Sequence, residues 1–287
     1  MRVGERNGET PRSHTAVLRY QTNRGRQCFD DFPLGSEEFR PVPQGAAYDI
    51  PMTIPSLREE LLALADEGNA AFLAKLIPGL NPETIIGARN PALRALAKKL
   101  LRERPDEALA FLAELPHGLH EENMLHSFLL GLEKSPDAAF SGVERFLPFV
   151  DNWAVCDSLA PAGFARDLER LEGEAEAWIG AGQQAPYTVR FGICMHMGHF
   201  LKEHFRPDFL SLIAGIASEE YYVRMAQGWY FAEALAKQPD SALPWFLEDR
   251  LPLPVRRKAI QKAVESYRIP SETKDVLRVV RAGLPRA

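Results

Sequence analysis

Apolar residues return every three or four positions through most of the chain, in 90–103, 106–115, 121–132, 137–147, 187–202, 219–237 and 255–267. That interval is the period of one helix face, and the alternating β-branched runs that a half-buried strand needs are scarce. The pattern predicts an all-α chain. It begins abruptly: "MTIPSLREELLALADEGNAAFLAKL" opens at Met52 and sets Leu57, Leu61, Leu62, Leu64 and Ala65 along one stripe. Residues 1–51 hold scattered Gly, Pro, Arg, Asn and Gln without such a stripe, and are expected to be disordered. Met52 is then a candidate initiator, with the residues before it an extension from an over-long reading frame. Residues 52–287 are expected to form a single domain.

A repeat runs beneath the helical period. "RPDEALAFL", "SPDAAFSGV", "RPDFLSLIA" and "QPDSALPWFL" carry Pro-Asp pairs that begin at 105, 136, 207 and 239. The spacings are 31, 71 and 32, the middle one spanning two periods with one copy degraded. Proline has the φ of a first helical turn and an acid suits the positive helix end, so each pair marks the start of the second helix of a hairpin. Stacked hairpins of this period make a curved, HEAT-like solenoid whose concave wall is its usual binding surface. The first helices of the later hairpins contain "ENMLHSFLLGL", "DNWAVCDSLA", "YTVRFGICMHMGHFL" and "YYVRMAQGWYFAEAL", where polar and aromatic residues interrupt apolar runs.

Composition changes this picture little. The 287 residues are 46% hydrophobic and 25% charged. No apolar run is long enough to cross a membrane and no cleavable leader opens the chain, so a cytoplasmic location without membrane contact is the default expectation. Cys28, Cys156 and Cys194 are odd in number and far apart in sequence, which argues against a disulfide framework and a zinc site. The net charge is −5, the wrong sign for a nonspecific nucleic-acid coat. From Leu251 onward, however, nine basic residues (Arg256, Arg257, Lys258, Lys262, Arg268, Lys274, Arg278, Arg281, Arg286) face three acids (Glu265, Glu272, Asp275), a local balance of +6. Either a polyanion is met there or these residues solvate the last helices.

"PFVDNWAVCDSLAP" carries the most specific chemistry. Trp153 and Asp157 stand four apart, on one helix face, in a segment of about three turns fenced by Pro148 and Pro161. With Arg190, Arg224 and Trp229 on later first helices, one wall would offer two indoles, a carboxylate and guanidiniums. Such a set suits a sugar or base with cationic character beside a phosphate. The alternative is that the tryptophans are core, Asp157 caps a helix and Arg190 pairs with an acid; a carboxylate buried against a neighbouring helix would favour it. His196 and His199 in "CMHMGH" lack two further ligands and read as core or groove histidines. "IIGARNP" has one glycine, too few for a phosphate loop, and reads as a turn and helix start. No metal or cofactor site is expected.

"IIGARNPALRALAKKL", "FVDNWAVCDSLA", "YTVRFGICMHMGHFL", "YYVRMAQGWYFAEALAKQPD" and "RRKAIQKAVESYRIPSETKDVLRVVR" together resemble the AlkD-like DNA alkylation repair family of HEAT-like-repeat proteins, over about residues 53–282. The N-W-x-x-C-D segment and the K-A-I-Q-K-x-x-E-S tail are the most specific and resemble one subgroup. The resemblance implies a glycosylase that removes positively charged N3- and N7-alkylated purines from duplex DNA without a deep base pocket. It also implies roles. Asp157 would stabilise the sugar cation and orient water, Trp153 would pack on the deoxyribose, Arg190 would hold a phosphate and Trp229 would form the other wall, with Arg224 on the DNA-binding face. A noncatalytic HEAT-like scaffold is the alternative, and a monomer is the expected state.

Overall fold

The structure is a computed structural model that describes residues 54–285; the expectations for residues 1–51 fall outside them. Fourteen α-helices and no strand occur among the described residues. In chain order they are α1 (Ile54–Leu62), α2 (Glu67–Leu76), α3 (Asn90–Glu103), α4 (Pro105–Ala113), α5 (His120–Gly131), α6 (Pro136–Phe146), α7 (Trp153–Ser158), α8 (Leu168–Ile179), α9 (Pro186–His199), α10 (Asp208–Ala214), α11 (Tyr221–Lys237), α12 (Pro239–Leu247), α13 (Leu253–Glu265) and α14 (Ser271–Gly283).

From α3 the chain alternates between two rows. The odd-numbered helices α3, α5, α7, α9, α11 and α13 pack each on the next, while the even-numbered helices pack on the row they follow. This is the all-α helical-repeat solenoid that the Pro-Asp repeat predicts. Pro105, Pro136 and Pro239 open α4, α6 and α12, and Pro207 caps α10. The degraded copy is α8, where Arg166-Asp167 replaces the proline pair and the Asp167 side chain accepts the Arg170 N–H. A further variant opens α14 at Pro270-Ser271-Glu272.

Burial explains why the rows differ in sequence. All of α5 except Asn123 is buried, and so is α9 from Val189 to Met197, because these helices have neighbours on nearly every side. Phenylalanines fill the space between rows: Phe140 stacks on Phe164 at 4.5 Å, and Trp178 lies 4.9 Å from Phe191. Two glycines set the helix spacing. A Cβ at Gly192 would lie 2.7 Å from the Ala175 carbonyl on α8, and one at Gly228 would lie 2.8 Å from the Lys258 side chain on α13.

The two motifs read as structural occupy structural places. In "IIGARNP", Gly87 turns with φ 83°, and the amides of Ile86 and Gly87 donate to the buried Glu121 carboxylate at 3.0 and 2.7 Å. A buried carboxyl group of the protein thus fills this loop. His196 is buried edge-on to Phe209 with its ring 5.2 Å from Phe200, and neither nitrogen has a protein partner.

Candidate functional site

The segment between Pro148 and Pro161 is less helical than its spacing predicts. Only Trp153–Ser158 is α-helix; Leu147–Phe149 and Ala162–Arg166 are 3-10 turns, since Pro148 and Pro161 supply no N–H. Asn152 starts α7 by accepting the Ala154 and Val155 N–H groups at 3.0 and 3.1 Å, and is itself held by Asp151 at 2.8 Å. Trp153 therefore stands at the first helical position. Asp157 follows one turn later on the same side.

The Asp157 carboxylate meets α9. Arg190 donates Nε to Oδ1 at 2.8 Å and Nη2 to Oδ2 at 2.7 Å, a two-pronged, charge-assisted pair. Its Nη1 donates to the Tyr222 carbonyl on α11 at 2.7 Å. One guanidinium thereby ties three consecutive first helices together. The side chains of Arg190 and Asp157 are 5% and 14% exposed. Burial alone disfavours the Arg190 cation, but the adjacent carboxylate outweighs it and raises the guanidinium's pKa.

Thiols and phenols surround the pair. Tyr187, Arg190 and Cys194 lie on one stripe of α9 at three- and four-residue spacing. The Cys194 thiol donates to Asp157 Oδ1 at 3.7 Å and Cys156 donates to the Tyr187 carbonyl at 3.5 Å. A hydrogen bond with Cys156, then burial, then the Asp157 charge push the Cys194 thiol well up, so it is a neutral packing group. Hairpin stacking brings together two cysteines that are distant in sequence. The Tyr187 and Tyr222 rings are 6.1 Å apart, and burial pushes the Tyr187 phenol up to about 12.

The other expected residues are placed differently. Arg190 was expected to grip a phosphate; instead three of its five N–H groups are engaged inside the protein, two by Asp157. Trp229 is half-buried against the core on α11. It lies two turns, about 10 Å, along the stripe that holds Tyr222. Arg224 does not join that stripe, since an offset of two residues from Tyr222 turns it about 200° around the helix. Its guanidinium folds back to the Ser218 carbonyl at 2.6 Å and to Glu219. Trp153 is half-buried, and its Nε1 is enclosed without a protein partner.

Lys262 on α13 lies within electrostatic reach of this pair, although its sequence signal was submerged in the basic C-terminal count. Burial lowers its pKa most, Lys258 and Arg190 lower it further, and Glu265 and Asp157 oppose them. Several others of the nine basic residues are committed to structure. Arg256 holds the carbonyls of Phe246 and Leu247, Arg268 pairs with Glu233, and Arg278 pairs with Asp275. A cavity of about 460 Å³ opens between Ile179, Pro186, Ser211, Ile216 and Val223, and neither Asp157 nor Arg190 lines it. Among the described residues no helix is long and apolar enough to cross a membrane.

No curated protein matches the chain. The sequence profile of one family, described as DNA alkylation repair enzyme, matches residues 57–265, from within α1 to the end of α13. That range holds Trp153, Asp157, Arg190, Tyr222, Trp229 and Lys262, and it covers most of the chain. The protein belongs to the DNA alkylation repair enzyme family.

Proposed function

We propose that the protein is a DNA glycosylase that excises positively charged N3- and N7-alkylated purines from duplex DNA. The observation that carries this reading is the Asp157 carboxylate, fixed at the end of α7 in the Arg190 fork and one turn from Trp153. An alkylated purine of this class is already cationic, so its glycosidic bond breaks without a general acid. Both bonding electrons go to the departing base and the positive charge passes to the sugar. Asp157 stabilises that oxocarbenium-like sugar and orients the water that adds to C1′. Oδ1 accepts from Arg190 and Cys194, whereas Oδ2 accepts from Arg190 alone and keeps acceptor capacity for the sugar or the water. Arg190 acts here as a positioning residue. Trp153 packs on the deoxyribose and Trp229 supplies a second aromatic wall.

The near-burial of the Asp157–Arg190 pair also fits a scaffold that binds DNA or protein without chemistry, because the pair satisfies itself. Incubation with duplex DNA carrying 7-methylguanine separates the two. The glycosylase reading expects free 7-methylguanine and an abasic site from the native protein, with release lost in Asp157→Asn while duplex binding persists. Release no faster than the spontaneous rate leaves the scaffold.

A further inference from the structure

The cavity of about 460 Å³ is a slot between two consecutive hairpins. Ile179, the last residue of α8, and Pro186 and Val189 at the start of α9 form one wall; Ile216 and Val223, at the entry to α11, form the other with Leu212 of α10. Both connections are built open. Gly182 turns the first with φ 82°, and the Ala185 N–H closes that turn on the Gly182 carbonyl at 3.2 Å. In the second, α10 stops after seven residues and α11 pins the loop that follows. Gln227 Nε2 donates to the carbonyls of Ile213 and Ile216 at 2.9 and 3.1 Å, Arg224 Nε donates to the Ser218 carbonyl at 2.6 Å, and Ser218 Oγ accepts the Glu220 N–H at 3.1 Å. The slot is therefore formed in advance of any ligand.

Its chemistry restricts what it takes. The volume falls in the small-molecule range of about 300–1,000 Å³. Every lining side chain is uncharged, although 25% of the chain is charged, so an ionised ligand would shed water there with no counter-charge to meet it. Polar groups come from the Gln183 amide and the hydroxyls of Ser211 and Ser218, which supply both donors and acceptors beside the apolar walls. Gln183, Ser211 and Ala217 are exposed, so the mouth meets solvent. We infer that this slot binds a neutral purine base, its ring faces against the walls of the two hairpins and its edge toward Gln183, Ser211 and Ser218. The excision scheme produces such a molecule, since a cationic purine that takes both bonding electrons departs neutral. Slot and site also share their helices: Pro186 and Val189 flank Tyr187 and adjoin Arg190 on α9, and Val223 follows Tyr222, whose carbonyl accepts from Arg190 at 2.7 Å. The inference rests on the excision reading only for the source of the base.

The test therefore supplies the base directly. Calorimetric titration of native protein with free 7-methylguanine should show saturable binding at one site. Guanosine 5′-monophosphate, a purine carrying a charged phosphate, should bind at least about tenfold more weakly. Tryptophan at either exposed lining position, in Ser211→Trp or Ala217→Trp, fills the slot and should weaken base binding by at least about tenfold at an unchanged thermal midpoint. Irradiation with 6-thioguanine should attach the base to peptides from 179–189 or 211–223, a readout that needs no variant. Absence of saturable binding up to the solubility limit of the base overturns the inference, as do equal binding of the nucleotide, undiminished binding in the folded variants, or attachment confined to other peptides. Base binding without release of 7-methylguanine from duplex DNA would sink the glycosylase reading and leave this one standing; release without base binding would do the reverse.

Discussion

Arg190→Met tests whether the pair beneath the site is a buried one. The substitution keeps an apolar stem of similar length and deletes the guanidinium. Asp157 then loses two hydrogen bonds of 2.8 and 2.7 Å, and the Tyr222 carbonyl loses its donor at 2.7 Å. Removing one partner of a buried ion pair costs about 3–5 kcal/mol, because the other charge is left uncompensated. The partial exposure of Asp157 lets water reach it, so the lower end, about 3 kcal/mol, is the appropriate figure. For a domain of this size that is a fall of roughly 6–12 °C in Tm. Urea titration and differential scanning calorimetry of Arg190→Met, Asp157→Leu and the double variant measure it. The double variant should recover most of the loss, since an apolar pair strands no charge. A single-variant cost below about 1 kcal/mol, the range of exposed pairs, would refute the claim that the pair is structurally buried.

Two further outcomes follow from the packing and the buried histidines. Ala in place of Gly228 would set a Cβ 2.8 Å from the Lys258 Cβ and 3.0 Å from the Ala259 nitrogen, so α11 and α13 must part at a cost of about 1–3 kcal/mol; exposed Gly173 on α8, with nothing within 4 Å, should instead gain up to about 1 kcal/mol on the same change, and urea titrations of the two variants check the signs. Burial, aided by Arg206 and opposed by Glu172 and Asp208, lowers His196 from 6.5 to about 4. The unfolded chain therefore takes up this proton first as pH falls, and stability present above pH 6.5 is lost between about 6.5 and 4. His196→Leu should flatten the stability profile in that window by about 1.4 kcal/mol per pH unit, and an unchanged slope would contradict the assignment.

The repeat was legible because helix starts have local chemistry: Pro-Asp pairs mark α4, α6, α10 and α12 whatever the partner helix. The degraded copy was not, because Asp167 caps α8 without a proline. Within the site, the shared side of Trp153 and Asp157 follows from their four-residue spacing. The pairing of Asp157 with Arg190 does not, since nothing local selects a partner 33 positions away from among the chain's arginines. Arg190 consequently read as a phosphate ligand, although three of its five N–H groups are engaged inside the protein. The local partners of Arg224, the Ser218 carbonyl and Glu219, depend on how the chain folds back before α11, which its spacing from Trp229 does not reveal. Lys262 was hidden among nine basic residues, and only packing separates it from Arg256, which holds two carbonyls.

The measurement that bears most directly on the central claim is the single-turnover rate of 7-methylguanine release by native protein and by Asp157→Asn, with duplex affinity measured alongside. Loss of one preorganised electrostatic group that acts on the developing charge corresponds to about 10²–10³ in rate. Asp157→Asn should show a fall of that order at unchanged duplex affinity. Equal release rates for the two proteins, or release by neither above the spontaneous rate, would contradict it.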